Sequence, residues 1–184
     1  MAIKGQSISN KITGEHITWL ETAKDTNGQR LKARFSVGPK GRLPVVHFHP
    51  NQVETFEFIE GEFCLKVGDE TKNLHPGDTV VIQKGVPHTW WNPSETDTAQ
   101  MIVSLEPALN SEIFLEQFFG LCNDGKAKAD GTPYFMQIMA CINTYQIYIE
   151  GPPLLLQKIM GYTLGSLARL LGYKTYYPEY SNQN

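Results

Sequence analysis

The stretch Gly41-Arg-Leu-Pro-Val-Val-His47-Phe-His49-Pro-Asn-Gln-Val-Glu54-Thr-Phe-Glu-Phe-Ile-Glu-Gly61 places two histidines two positions apart and a glutamate shortly after them. On a strand, side chains two positions apart share a face, so His47 and His49 project together. Pro50-Asn51 reads as a turn. After it, Glu54 shares a strand face with Phe56 and Phe58, and if those aromatics point inward, so does the carboxylate. A second stretch, Gly77-Asp-Thr-Val-Val-Ile-Gln-Lys-Gly85-Val-Pro-His88-Thr-Trp-Trp-Asn92, supplies a third imidazole on a strand entered through a glycine turn. There His88 shares its face with Trp90 and Asn92. Three neutral imidazoles and one carboxylate suit a borderline divalent ion: iron(II), manganese, cobalt, nickel or zinc. In a chain of this composition, His-x-His-x4-Glu arises by chance roughly 0.01 times.

Around these stretches the pattern has period two. In Leu31–Val37, apolar Leu31, Ala33, Phe35 and Val37 alternate with Lys32, Arg34 and Ser36, the signature of a half-buried strand. Short runs of similar character at Val45–His49, Val53–Ile59, Phe63–Val67, Thr79–Gln83, His88–Asn92 and Ala99–Leu105 are separated by turn residues, which predicts a sandwich or barrel. Beyond Pro107 the period becomes helical. Ser111 is the expected cap of a first helix carrying Phe114, Leu115, Phe118, Phe119 and Cys122. Thr132-Pro133 is the expected start of a second, and a third is predicted from about Leu154 to Leu171, stopped by Gly172. Three segments follow: 1–27 leading in, 28–106 as a β-barrel, and 107–184 as a helical extension.

The chain has 184 residues, 41% of them hydrophobic, as expected of one globular domain plus an extension. With 16 basic against 19 acidic residues it lacks the positive footprint that a nucleic-acid backbone requires, so no nucleic-acid partner is expected. Cys64, Cys122 and Cys141 are odd in number and widely spaced, which argues against a disulfide framework. The first twenty residues lack a signal-like apolar run, and a cytoplasmic location is the expectation.

The two histidine-bearing stretches resemble the paired motifs of the cupin superfamily. Gly41, His47, His49, Glu54 and Gly61 match the whole of the first motif; Gly77, Gly85, His88 and Asn92 match the second, with Gln83 standing where the family usually has proline. The resemblance covers about residues 28–106. It implies a mainly β fold, a double-stranded β-helix or jelly-roll barrel followed by a C-terminal α-helical segment, with one iron, manganese, nickel or zinc ion held by His47, His49, Glu54 and His88.

Two functions follow as alternatives. In the first the protein is a metal-dependent dioxygenase or related oxidoreductase acting on a small oxygen-bearing molecule, with Glu54 as candidate catalytic base and Phe56, Phe58, Gln83, Trp90 and Asn92 lining the pocket. In the second it binds or senses a small molecule without turnover. Phe56, Phe58 and Trp90 also have a plainer reading, as side chains that fill a narrow barrel. Elsewhere, Gly120–Ala127 imitates a phosphate-binding loop but has Ala127 where a hydroxyl is needed. Gly161-x3-Gly165 lies in an apolar segment too short to span a bilayer, and is expected to pack within the protein or in a homodimer.

Overall fold

A computed structural model describes residues 2–181, and its strands follow the alternation read from the sequence, with additions at both ends. In chain order these are β1 (Ser7–Asn10), β2 (Glu15–Glu21), β3 (Leu31–Val37), β4 (His47–Phe48), β5 (Val53–Glu60), β6 (Phe63–Val67), β7 (Glu70–Leu74), β8 (Thr79–Ile82), β9 (His88–Trp91), β10 (Ala99–Glu106) and, late in the chain, β11 (Tyr148–Ile149). They form two antiparallel sheets, ordered β1-β2-β3-β10-β5-β8 and β11-β4-β9-β6-β7. The fold is therefore mainly β, with the expected jelly-roll architecture and a C-terminal helical segment.

The core lies between the sheets. Leu31, Ala33, Phe35 and Val37, the alternate residues of β3, are all buried, as are Phe56, Phe58, Phe63, Leu65, Trp90, Met101 and Val103 from the strands around them. Phe56 stacks on Phe58 and Phe58 meets Phe63, with ring centroids 6.4 and 5.3 Å apart. These rings close the barrel interior, in line with the plainer reading of Phe56 and Phe58. Two glycines of the first motif have steric reasons. A Cβ on Gly41 would come within 2.6 Å of Val37 Cγ1, and Gly61, at φ +74°, has Ala99 where a Cβ would go.

Residues 1–27 contribute two strands to the sheet. β1 pairs with β2, and β2 pairs with β3, setting Glu15 opposite Val37, Ile17 opposite Phe35 and Trp19 opposite Ala33. Strand β7 is also additional; four of its five residues are exposed, so it carries no alternating signal.

The helices are α1 (Ser111–Asn123), α2 (Phe135–Tyr145) and α3 (Leu154–Leu170), followed by a 3-10 turn at Pro178–Tyr180. Two starts differ from expectation. Asn110 occupies the cap position of α1, while the Ser111 hydroxyl accepts a hydrogen bond from the Gln52 amide at 2.8 Å. Pro133 bridges to Ala127, so α2 begins only after Tyr134. Helix α1 joins the barrel core through Phe118, Phe119 and Cys122. Helices α2 and α3 form a hairpin, and the strand between them, β11, pairs with β4 so that Ile149 lies opposite His47.

The Gly161-x3-Gly165 pair lets α3 approach α2 closely. A Cβ on Gly165 would stand 2.5 Å from the Met139 carbonyl oxygen, and one on Gly161 would stand 2.6 Å from Asn143 Nδ2. Because the obstacle at Gly165 is backbone, a side chain there must push the helices apart. Gly165→Val is expected to destabilise the protein by about 1–3 kcal/mol, seen as a lower midpoint in urea unfolding.

Candidate metal centre

Four elements bring the site together. β4 and β9 pair with His47 directly opposite His88, so both imidazoles leave one face of the smaller sheet side by side. The backbone N–H of Gly85 donates to the His49 carbonyl at 2.8 Å, tying the end of β4 to the turn that precedes His88. Glu54 arrives from the other sheet, where β10 sets Leu105 opposite both Glu54 and Leu31. The site thus lies between the sheets. His47, His49, Glu54 and His88 are all buried, and one donor atom from each lies within 4.8 Å of the others. They form a cluster able to hold a metal ion.

The hydrogen-bonding geometry favours a cation at their centre. His88 Nδ1 lies 3.0 Å from the Val86 carbonyl, which can only accept, so this nitrogen carries a proton. In the neutral ring His88 Nε2 then presents a lone pair, yet it faces Glu54 Oε2 at 2.7 Å. A lone pair against a carboxylate is repulsive unless a proton or a metal ion lies between them. His47 Nε2 and His49 Nε2 likewise face each other at 3.1 Å, and His49 Nε2 stands 3.3 Å from Glu54 Oε2. The donors are nitrogen and oxygen, so the residues present fit a divalent transition ion.

Electrostatics agree with that arrangement. Burial, and then the charges of His88 and His49, hold the His47 pKa well below its ordinary value, which keeps its imidazole neutral as a ligand must be. Burial alone would raise the Glu54 pKa, but the adjacent His88 and His49 outweigh it and hold the carboxyl well below the usual range. For His88, burial disfavours the imidazolium, but Glu54 and the Val86 carbonyl reverse the balance and raise its pKa. The Glu54 and His88 shifts favour positive charge beside the carboxylate, while His47 stays a neutral donor.

A cavity of about 140 Å³ opens from His47, His49 and Glu54 and runs between β3, the Leu43–His49 segment and helices α1 and α2. Its walls are largely apolar. Of the pocket residues expected from the sequence, the structure brings Trp90 to this cavity and not the others. Phe56 and Phe58 lie in the barrel core, where Phe56 sits edge-on to His88 with centroids 6.0 Å apart. Gln83 is exposed on the turn after β8. Asn92 is buried, but its amide is consumed by the fold: Nδ2 contacts the carbonyls of Val37, Gly38 and Asp97, and Oδ1 accepts from Ser94 N–H. Asn92→Ala would strand several of these partners. It is expected to cost about 2–4 kcal/mol in chemical denaturation while leaving bound metal unchanged.

Other lining residues come from segments whose sequence gave no such signal. The helical third supplies Phe114, Phe118, Ile138 and Tyr145, and β2 supplies Glu15. Glu15 is buried beside the hydroxyl of Thr13, which donates to its Oε2, and burial raises its pKa to about 7. Cys141 also lines the cavity, but burial pushes its thiol up to about 12 and the Sγ lies 3.2 Å from the Gln137 carbonyl, so it is no nucleophile at neutral pH. The loop-like Gly120–Ala127 segment has no free lysine for a phosphate. Lys126 Nζ lies 2.7 Å from Tyr180 Oη and 3.1 Å from Asp124 Oδ2.

Comparison with known proteins places this geometry. An oxidoreductase of Arthrobotrys oligospora is 26% identical over 176 residues, covering 87% of this chain and 67% of that protein. A quercetin 2,3-dioxygenase of Bacillus subtilis is 28% identical over 131 residues; the match takes in 71% of this chain but only 34% of the dioxygenase, about a third of its length. The solved structure of an RmlC-like cupin from Shewanella frigidimarina superposes with a TM-score of 0.50 at 20% identity, over 61% of this chain and 94% of that one, and shares the fold. Residues 33–105, which carry all four clustered side chains and lie on the two-sheet barrel, match the cupin domain family, and this segment of the chain is identified as a cupin domain.

Proposed function

We propose that this protein is a metal-dependent oxidoreductase, in its sharpest form a dioxygenase, acting on a small oxygen-bearing molecule. The observation that carries the proposal is the clustering of His47, His49, Glu54 and His88, three of which, His47, His49 and Glu54, line an apolar cavity. A buried metal site serving only structure would have no use for a cavity leading to it. The two distant relatives named above, an oxidoreductase and a dioxygenase, support the same class.

A divalent transition ion held by these residues supplies Lewis acidity and, where redox-active, dioxygen chemistry. The chain's own part is to position and to exclude. The neutral His47 imidazole and the fixed His88 tautomer hold their donor atoms toward one point, and the helical segment covers the cavity with apolar side chains that keep water scarce. Glu54, ionised and at the cavity wall, would act as the base toward a bound substrate. His47, His49, Glu54 and His88 would hold the ion, and the cavity beside them would give room for a substrate that binds through oxygen. Protein loaded with iron(II) without air should consume oxygen when offered one of a panel of small diketones and catechols. No uptake with any of them would count against the proposal.

A binding or sensing role is favoured by one observation: apart from the cluster, the only acid among the described residues that reaches the cavity is Glu15. Under that reading, compounds that raise the melting temperature are recovered unchanged after hours.

The proposal includes a cytoplasmic homodimer. Among the described residues no helix is long and apolar enough to cross a membrane. Helix α3 turns Leu155, Ile159, Tyr162 and Leu170 outward, Leu170 at 86% exposed. Light scattering should give twice the 20.7 kDa of one chain, and Leu170→Lys with Tyr162→Lys should return it to a single chain's mass.

A further inference from the structure

The cavity has a polar group at each end. At one end stand His47, His49 and Glu54; at the other is Glu15, only 3% exposed. The strand register separates the two. Glu54 shares a row with Leu105 and Leu31, whereas Glu15 shares a row with Val37, at the opposite end of β3. At about 3.3 Å per residue those rows lie roughly 20 Å apart along the strand, before twist and side-chain reach shorten the gap. Between them the walls are apolar, formed by Ala33 and Phe35 from the sheet and by Phe114 and Phe118 from α1.

Glu15 is out of keeping with its strand. The other inward residues of β2 are Ile17 and Trp19, both buried in the core, and an aliphatic side chain would continue their pattern. A costly departure from core patterning is where function is expected. We propose that the cavity takes a slender, mainly apolar molecule with a chelating oxygen head at the His47–His49–Glu54–His88 cluster and a hydroxyl at its far end, hydrogen-bonded to Glu15. The proposal rests on the metal-centre reading above and narrows its substrate class.

A hydroxyl is favoured over other termini because it both donates and accepts, and so pairs with a carboxyl group in either protonation state. An anionic terminus would face repulsion from ionised Glu15. Size sets a further limit. A volume of about 140 Å³ resembles the engineered apolar cavities that hold one benzene, with room for on the order of six to ten heavy atoms. A multi-ring flavonol exceeds it, so the substrate named for the Bacillus subtilis relative does not fit this cavity as it stands.

The test uses the zinc-loaded full chain and hydroxamic acids as chelating probes: acetohydroxamate, then straight-chain alkyl hydroxamates of about four to six carbons with and without a terminal hydroxyl. Calorimetry should show some chain length binding at least about tenfold more tightly than acetohydroxamate. At the length that reaches Glu15, Glu15→Leu should weaken the hydroxylated probe about tenfold relative to its plain counterpart, and Glu15→Gln should restore the ratio. Equal affinity for acetohydroxamate and every longer probe would overturn the proposal, as would an unchanged ratio in Glu15→Leu. In both cases acetohydroxamate binding leaves the metal centre standing. A chain that binds neither zinc nor acetohydroxamate overturns the metal reading and this proposal together.

Discussion

Replacing His88 with alanine is expected to leave the protein without its metal ion and with markedly lower stability. His88 is the most buried member of the cluster, 1% exposed, held through Nδ1 by the Val86 carbonyl and facing Glu54 at 2.7 Å. Losing a ligand should weaken metal affinity by at least about 100-fold, since disturbing even the outer partners of ligands costs 10–100-fold. The linked stability goes with it: an ion present at about a thousand times its dissociation constant contributes ~4 kcal/mol. A second loss follows from Glu54, whose buried carboxylate would be left without its nearest partner, at a cost of about 3 kcal/mol. These losses can be separated. A chelator should lower the melting temperature of the wild type and have no further effect on His88→Ala. His47→Ala and His49→Ala should also lose the ion, and full metal content in all three variants would remove the basis of the site.

The second large effect concerns Glu15 and pH. Its pKa rises from the ordinary 4.5 to about 7, because burial penalises the carboxylate more than the Thr13 hydrogen bond favours it. The folded protein therefore holds this proton more tightly than the unfolded chain between those two values. Stability from this group is fully present below pH 4.5 and is lost as pH rises through about 7. At about 1.4 kcal/mol per pH unit over that span, the loss amounts to ~3 kcal/mol. Glu15→Gln keeps a polar side chain beside Thr13 and removes the titration. Urea unfolding of this variant should show a flatter stability profile between pH 5 and pH 8, with the variant the more stable form at the alkaline end. Parallel profiles for the two proteins would contradict the burial of a titrating Glu15.

The metal cluster and the barrel core were legible in the sequence because they rest on short-range regularities. The alternation of Leu31–Val37 marks β3 to the residue. His47 and His49 are placed by strand period alone, and Glu54 and His88 sit where their inward-facing neighbours Phe56 and Trp90 put them. Less local features were not legible. Strand β2 hides its period behind an inward glutamate, and β1 is only four residues long. Ser111 resembles a helix cap, yet its hydroxyl is engaged by Gln52, the residue before β5, a contact that only the tertiary fold creates. Asn92 reads as a pocket residue from its shared face with His88, but three carbonyls converge on its amide. The cavity itself depends on how α1 and α2 close over β3, and neither helical period nor strand period encodes that docking.

Elemental analysis of the protein purified without added metal, followed by zinc titration of the chelator-treated chain, tests the central claim most directly. With His47, His49, Glu54 and His88 gathered in one buried cluster, one transition-metal ion per chain is expected, at a single site lost on substituting His88. Purified protein free of iron, manganese, nickel and zinc, together with a stripped chain that takes up no ion in the titration, would contradict it.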